Sequence, residues 1–489
     1  MVSHPNVVVV VMDTARARET VRSDYRDMSL SAIDRLAEDG TEYTQAFAGS
    51  PWTLPSHASL FTGTYPSKHG AHGGHKHLDD DLPTLAEAFR TNGYETVAVT
   101  NNTWISEEFG FARGFETVYK TWQYVQTDTD LGEIARTTEG RATVRALANR
   151  LTEGNPIVNV ANALYGKFLR KRTDDGAQRT NEWIGDWLTD RTRDEPFFCF
   201  INYLEPHLEY RPPKSFAEEF LPNGVTYDEA MEVPQDAWGY IAGEVDLTDR
   251  ELDILHALYR AEIAYLDRRI GELREHLETA GEFEDTVFVV TSDHGENIGD
   301  HGMMDHQYNL YDTLLHVPLV VHGEGFGTGQ NEDLVQLTDL APTLLDAAGI
   351  DAPELREESQ GQSFHPAAET EPRECAIAEY MAPQPSMDAL EQRVGNLPAE
   401  VRRYDRSLRA IRTDDWKLIR GSDGSHELYH LADEPVEQTD LAAENADRVA
   451  ALDDCLDDWL ASFDHAEATG DVSMTDATEA RLEDLGYLQ

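Results

Sequence analysis

Two acidic residues stand where a buried apolar run gives way to polar sequence. Asp13 closes VVVVVM at 7–12, and Asp293 with His294 follows TVFVVT at 286–291. A lone Asp after a strand is ordinarily a helix cap or a turn former. Taken with the hydroxyl of Thr53, however, these residues offer hard oxygen ligands plus one imidazole, a set that suits Mn²⁺, Zn²⁺, Mg²⁺ or Ca²⁺. Pro55 near a first helical turn leaves backbone N–H groups beside Thr53 without helical partners, a cradle for an oxyanion. A second cluster, His69, His72, His75 and His77, lies in a Gly-rich stretch. The spacing fixes no acidic or cysteine partner beside it, so a loop at the pocket mouth is favoured over a second metal site.

These residues need strands that end together. The run at 7–12 has no polar alternation and reads as a central parallel strand buried on both faces. Residues 96–100, 196–204, 286–291 and 317–321 read as further strands, and 84–92 and 249–280 as helices. The second of these carries Leu252, Leu255, Ile263, Leu266, Ile270, Leu273 and Leu277 on one stripe, with Gly281 at its end. Strands alternating with helices imply a large doubly wound α/β sheet of mixed or parallel strands, whose active site lies at the strands' carboxyl ends. Residues 118–193 and 210–248 read as insertions. Beyond about residue 370 the pattern changes to short strands at 407–412, 416–420 and 427–431, then a helix near 447–463. This predicts a catalytic domain over 1–370 and a small α+β subdomain, an antiparallel sheet plus a helix, over 371–489.

Composition narrows the function classes. The chain has 489 residues, with 40 Lys and Arg against 92 Asp and Glu, a formal net charge of -52. The acids are spread over the chain and describe a surface, which requires dense counterions. The expectation is adaptation to a salt-rich cytoplasm. A nucleic-acid partner is excluded, because phosphate backbones demand a basic patch. Cys199, Cys375 and Cys455 form no CxxC pair and no disulfide framework, which fits a reducing compartment. The N-terminal apolar run is too short for a signal or a spanning helix, so a cytoplasmic location without a transmembrane segment is expected.

The segment SPWTLPSHASLFTGTYPSKHG at 50–70 makes the chain recognisable. It resembles the sulfatase signature, in which Cys or Ser, any residue, Pro, Ser and Arg open a helix running to Thr-Gly and then Tyr-Pro and His-Gly. The matching residues are Thr53, Pro55, Ser56, His57, Thr62, Gly63, Tyr65, Pro66, His69 and Gly70. The likeness continues in order through 6–13, 259–271, 286–296, 299–302, 310–312, 317–319, 337–349, 412–418 and 427–431. It implies the alkaline phosphatase-like fold and a hydrolase or transferase acting on sulfate or phosphate esters. It further implies a divalent metal held by Asp13, Thr53, Asp293 and His294, with Thr53 as nucleophile. His207 would face the transferred group and His306 the leaving oxygen, with His57 in the place of the signature Arg. The partner implied is a small anionic ester: a sulfated or phosphorylated glycan, a lipid headgroup or a metabolite.

The departures bear on the chemistry. Thr53 carries a β-methyl group and cannot become the formylglycine of family members that start from Cys or Ser. The second Asp of the first metal strand is Thr14, and residues 101–104 replace a Lys-Trp-His-Leu-Gly segment. A Thr nucleophile is similar to that of phosphotransferases and phosphodiesterases in the superfamily, so phosphoryl transfer is favoured over sulfuryl transfer. Two alternatives stand beside it. One is a sulfatase working without formylglycine; the other is a catalytically idle relative that binds anions or glycans. An idle copy has no need of four chemically competent residues.

Overall fold

The computed structural model describes residues 4–21, 28–123, 174–395 and 397–466. Strands β1 (Asn6–Met12), β2 (Thr41–Phe47), β3 (Glu95–Thr100), β4 (Thr117–Lys120), β5 (Phe197–Tyr203), β6 (Thr286–Ser292), β9 (Leu319–His322) and β10 (Gly329–Gln336) form one sheet. Their order is β10-β2-β9-β6-β1-β5-β3-β4. β1 runs parallel to both β5 and β6, and β3 runs parallel to β4 and β5. β9 is antiparallel to β2 and β6, so the sheet is mixed. Every residue of β1, β5 and β6 is buried, which is why their sequences are apolar runs rather than alternations. β2 and β10 are not visible as apolar runs. They form the other end of the sheet, and much of β10 (GQNEDLVQ) is exposed.

The helix Asp249–Ala280 opens with a capping box between Thr248 and Glu251 and stops at Gly281, whose φ of 77° suits glycine. Its stripe is buried as the sequence predicts, with Leu252 half-buried. The helix Leu85–Thr91 is likewise capped by a Thr84–Glu87 box. Within the stretch read as the first insertion, β4 is an edge strand of the main sheet, and the helix Ala177–Asp190 packs on Asp249–Ala280. Residues 124–173 lie outside the described residues. The stretch 210–248 carries the short helices Lys214–Phe220, Tyr227–Ala230 and Ala237–Ile241.

The second sheet is antiparallel: β11 (Ala376–Tyr380), β12 (Leu408–Arg412), β13 (Trp416–Gly421) and β14 (His426–His430). Its side chains alternate between two cores, as a two-residue period requires. Ala376, Ala378, Ala410, Ile419 and Tyr429 join the main core. Ile377, Ile411, Leu418 and Leu428 pack with Leu452 and Leu456 of the helix Ala446–Leu460.

Candidate active site

β1 and β6 are neighbours in parallel register, with Met12 opposite Ser292, so Asp13 and Asp293 leave the sheet side by side. The turn after β1 is locked. Thr14 holds a φ of 64°, unfavourable for a β-branched residue. Tyr259 donates its hydroxyl to the Thr14 carbonyl at 2.7 Å and accepts from Arg16 N at 2.9 Å. The Thr14 amide reaches Asp293 Oδ1 at 3.3 Å, and the His294 amide reaches the same oxygen at 3.0 Å. One carboxylate oxygen of Asp293 is thus tied to the backbone and the other points inward.

Thr53 is the first residue of the helix Thr53–Thr62, all of which is buried. Ser56 donates to the Asp293 carbonyl at 2.6 Å, fastening this helix to the end of β6. Thr53 Oγ1 lies 3.4 Å from His294 Nε2, and that nitrogen lies 3.3 Å from Asp293 Oδ2 and 3.9 Å from Asp13 Oδ1. The other His294 nitrogen, Nδ1, is 2.9 Å from the Gly295 carbonyl and donates to it, which directs Nε2 to the centre. One turn along the helix, His57 Nδ1 donates to the Thr53 carbonyl at 2.9 Å and stands 3.5 Å from Asp293 Oδ2. Burial lowers the pKa of His57, so it supplies a donor here and not the fixed charge of an Arg.

His207 and His306 reach the same centre from outside the main sheet. A two-stranded hairpin, β7 (Asn297–Ile298) and β8 (Met304–Asp305), returns the chain so that the His306 ring lies 4.6 Å from that of His294. The His207 ring is 5.3 Å from His306. Burial works against a charged His306, but the Asp305 carboxylate, then Glu296, holds its pKa well above the ordinary value. His207 is pushed the other way, to about 4, by burial and by the neighbouring His306 charge. A histidine whose pKa is raised, His306, therefore stands beside one whose pKa is lowered, His207. All seven residues singled out in the sequence, Asp13, Thr53, His57, His207, Asp293, His294 and His306, meet in one buried cluster.

Other contributors were not legible as site residues. Asn102, after β3, donates from Nδ2 to Asp13 Oδ2 at 2.6 Å, while its Oδ1 accepts from Trp104 N at 3.0 Å and its amide donates to Asn202 Oδ1 at 3.0 Å. Asp305 and Glu296 set the charge on His306. The available signal was position: an Asn-Asn pair at the carboxyl end of a sheet strand.

The donor set fits a divalent cation. Ligand atoms of Asp13, Asp293 and His294 all lie within 4.8 Å of one another. Asp13 Oδ1 and Asp293 Oδ2 are buried with no hydrogen-bond partner among the described residues. Burial, then the proximity of Asp293, raises the Asp13 pKa well above the ordinary value, and burial raises that of Asp293. A close divalent charge would keep two such carboxylates ionised together.

A family model, Sulfatase, matches residues 5–350. The chain belongs to the sulfatase family. As a member of that family it is a sulfatase-like hydrolase. It is similar to arylsulfatase K of Bos taurus, 26% identical over 487 residues, covering 92% of this chain and 81% of the relative. A choline-sulfatase of Rhizobium meliloti is 23% identical over 468 residues, 90% of this chain and 81% of the other. Among solved structures, a phosphonate monoester hydrolase of Agrobacterium radiobacter superposes with a TM-score of 0.69 at 22% identity, over 94% of this chain and 95% of that one. At that identity the likeness supports the fold alone. No helix among the described residues is long and apolar enough to cross a membrane.

The remaining histidines divide. His69 is structural: Nε2 lies 3.1 Å from Ser59 Oγ, Nδ1 accepts from Ala71 N at 3.1 Å, and burial lowers its pKa to about 3. The expectation that no carboxylate stands beside the other three is corrected. Asp79 contacts both His75 and His77, the three residues alternating along 75–79.

Proposed function

We propose that this chain is a metal-dependent esterase that attacks phosphate or sulfate esters through Thr53, with phosphoryl transfer favoured. The observation that carries the reading is the placement of Thr53 Oγ1, 3.4 Å from His294 Nε2 and beside two buried, inward-facing carboxylate oxygens. Asp13, Asp293, His294 and Thr53 Oγ1 would hold a divalent ion of the Mn²⁺, Zn²⁺, Mg²⁺ or Ca²⁺ group. When bound, such an ion lowers the pKa of the Thr53 hydroxyl and draws charge from the ester's oxygens.

The chain's own groups do the rest. The N-terminus of the Thr53–Thr62 helix lies at Thr53, where the positive end of the helix dipole would favour the incoming anion. Thr53 Oγ1, its proton given up to solvent beforehand, would attack as the alkoxide, bonding to phosphorus or sulfur as the bond to the ester oxygen breaks, and would leave again as the alkoxide in the second step. His306 gives its proton to that leaving oxygen, then takes one from the water or alcohol that releases Thr53. His207, neutral and with Nδ1 turned to the Leu208 carbonyl, orients the transferred group.

Sulfuryl transfer by the same residues, without formylglycine, is the second reading, and the sulfatase names of the similar proteins support it. Parallel hydrolysis of p-nitrophenyl sulfate, phosphate and a phosphodiester, in molar salt with each ion added in turn, separates the two. Phosphate or diester turnover supports the first reading. Sulfate turnover alone overturns the phosphoryl preference.

A further inference from the structure

We propose that His75, His77 and Asp79 form a second metal site, taking a borderline divalent ion such as Zn²⁺, separate from the centre at Thr53. The segment is prepared for it. His72 and His75 exchange backbone hydrogen bonds, each 2.9 Å, closing a tight turn over Gly73 and Gly74. His75 and His77 are two residues apart, and both imidazoles turn to one carboxylate. His75 Nε2 is 2.9 Å from Asp79 Oδ2, and His77 Nδ1 is 3.0 Å from Asp79 Oδ1.

The three ligand atoms lie within 4.8 Å of one another. Nitrogen and oxygen ligands arranged tetrahedrally about zinc stand about 3.3 Å apart, so little movement separates the present geometry from a coordinated one. Two imidazoles and one carboxylate suit Zn²⁺ better than Mg²⁺ or Ca²⁺, which prefer oxygen. Coordination of an ion would replace the present contacts of His75 and His77 with Asp79. His75 is buried, whereas His77 and Asp79 are half-buried, so the site has a closed floor and an open approach.

The site would also fix what lies between its ligands. On the intervening residue, Lys76 Nζ lies 5.7 Å from the centre of the Trp104 ring. The Trp104 amide bonds the Asn102 side chain that holds Asp13. An ion on His75 and His77 would therefore tie this loop to the rim of the active site.

The test is metal uptake by the full chain. Metal-free wild type titrated with Zn²⁺ should bind one equivalent more than either His77→Ala or Asp79→Asn. Co²⁺ in place of Zn²⁺ should give visible d–d absorption that Asp293→Ala retains and that is lost when His77→Ala is added to it. Asp79 is half exposed, so Asp79→Asn keeps the test available if His77→Ala fails to fold. Equal stoichiometry in wild type and Asp79→Asn would overturn the site, whatever the fate of the Thr53 mechanism.

Discussion

Asn102 Nδ2 donates to Asp13 Oδ2 at 2.6 Å and leaves Oδ1 of the same carboxylate directed at His294 Nε2, 3.9 Å away. The amide thus decides which oxygen of Asp13 faces the centre. Partners behind a ligand contribute about 10–100-fold in metal affinity. Asn102→Ala is expected to weaken divalent-ion binding by about that factor with little change in fold. Titration of metal-free protein checks it, and unchanged affinity would remove Asn102 from this role.

His306 is held charged by Asp305 and Glu296, which suits a proton donor to a leaving oxygen. His306→Ala should slow an alkyl ester by about 10²–10⁴-fold and a p-nitrophenyl ester much less, since p-nitrophenolate departs without a proton. Rates for a series of leaving groups report this directly. Equal slowing across the series would exclude the assignment.

Lys417, fully buried, lies 2.7 Å from both Asp312 and Glu437. Two carboxylates share this ammonium, and the Arg412 guanidinium lies only 3.3 Å from Asp312. Burial raises Glu437 to about 7, against the pull of Lys417, while Asp312 is held below its ordinary value by Lys417 and Arg412 in spite of burial. Between the ordinary carboxyl range and about pH 7 the folded state therefore binds a proton that the unfolded state does not. Stability from this group falls as pH rises through that window, by at most about 1.4 kcal/mol per pH unit. Glu437→Gln should flatten that slope, measured by denaturant titration from pH 5 to 8. A slope identical to wild type would contradict the shift.

A net charge of -52 predicts that added salt stabilises the fold by screening self-repulsion. The melting temperature should rise as NaCl is increased from millimolar to molar. A fall over that range would contradict adaptation to salt.

The catalytic strands were legible because burial on both faces writes them as unbroken apolar runs, and Asp13 and Asp293 end those runs. β2 and β10 were hidden because strands at that end of the sheet tolerate Thr, Gln, Asn and Glu. β9 was visible as a strand, but its antiparallel direction is set by the connection and not by its residues. Thr53, His57, His207 and His306 were found through their resemblance to a family pattern. Asn102 and Asp305 were not, since their roles depend on contacts across 89 residues and on the return of a two-stranded hairpin. Asp79 is a different case: it lies only two and four residues from His77 and His75, and what the sequence does not show is that both imidazoles turn toward it.

The most direct test of the central claim is turnover by Thr53→Ala, measured beside wild type on the best ester substrate, with circular dichroism and metal content on the same samples. The variant should fold, keep its divalent ion in large part and show no turnover above background. Turnover equal to wild type would contradict nucleophilic attack by Thr53.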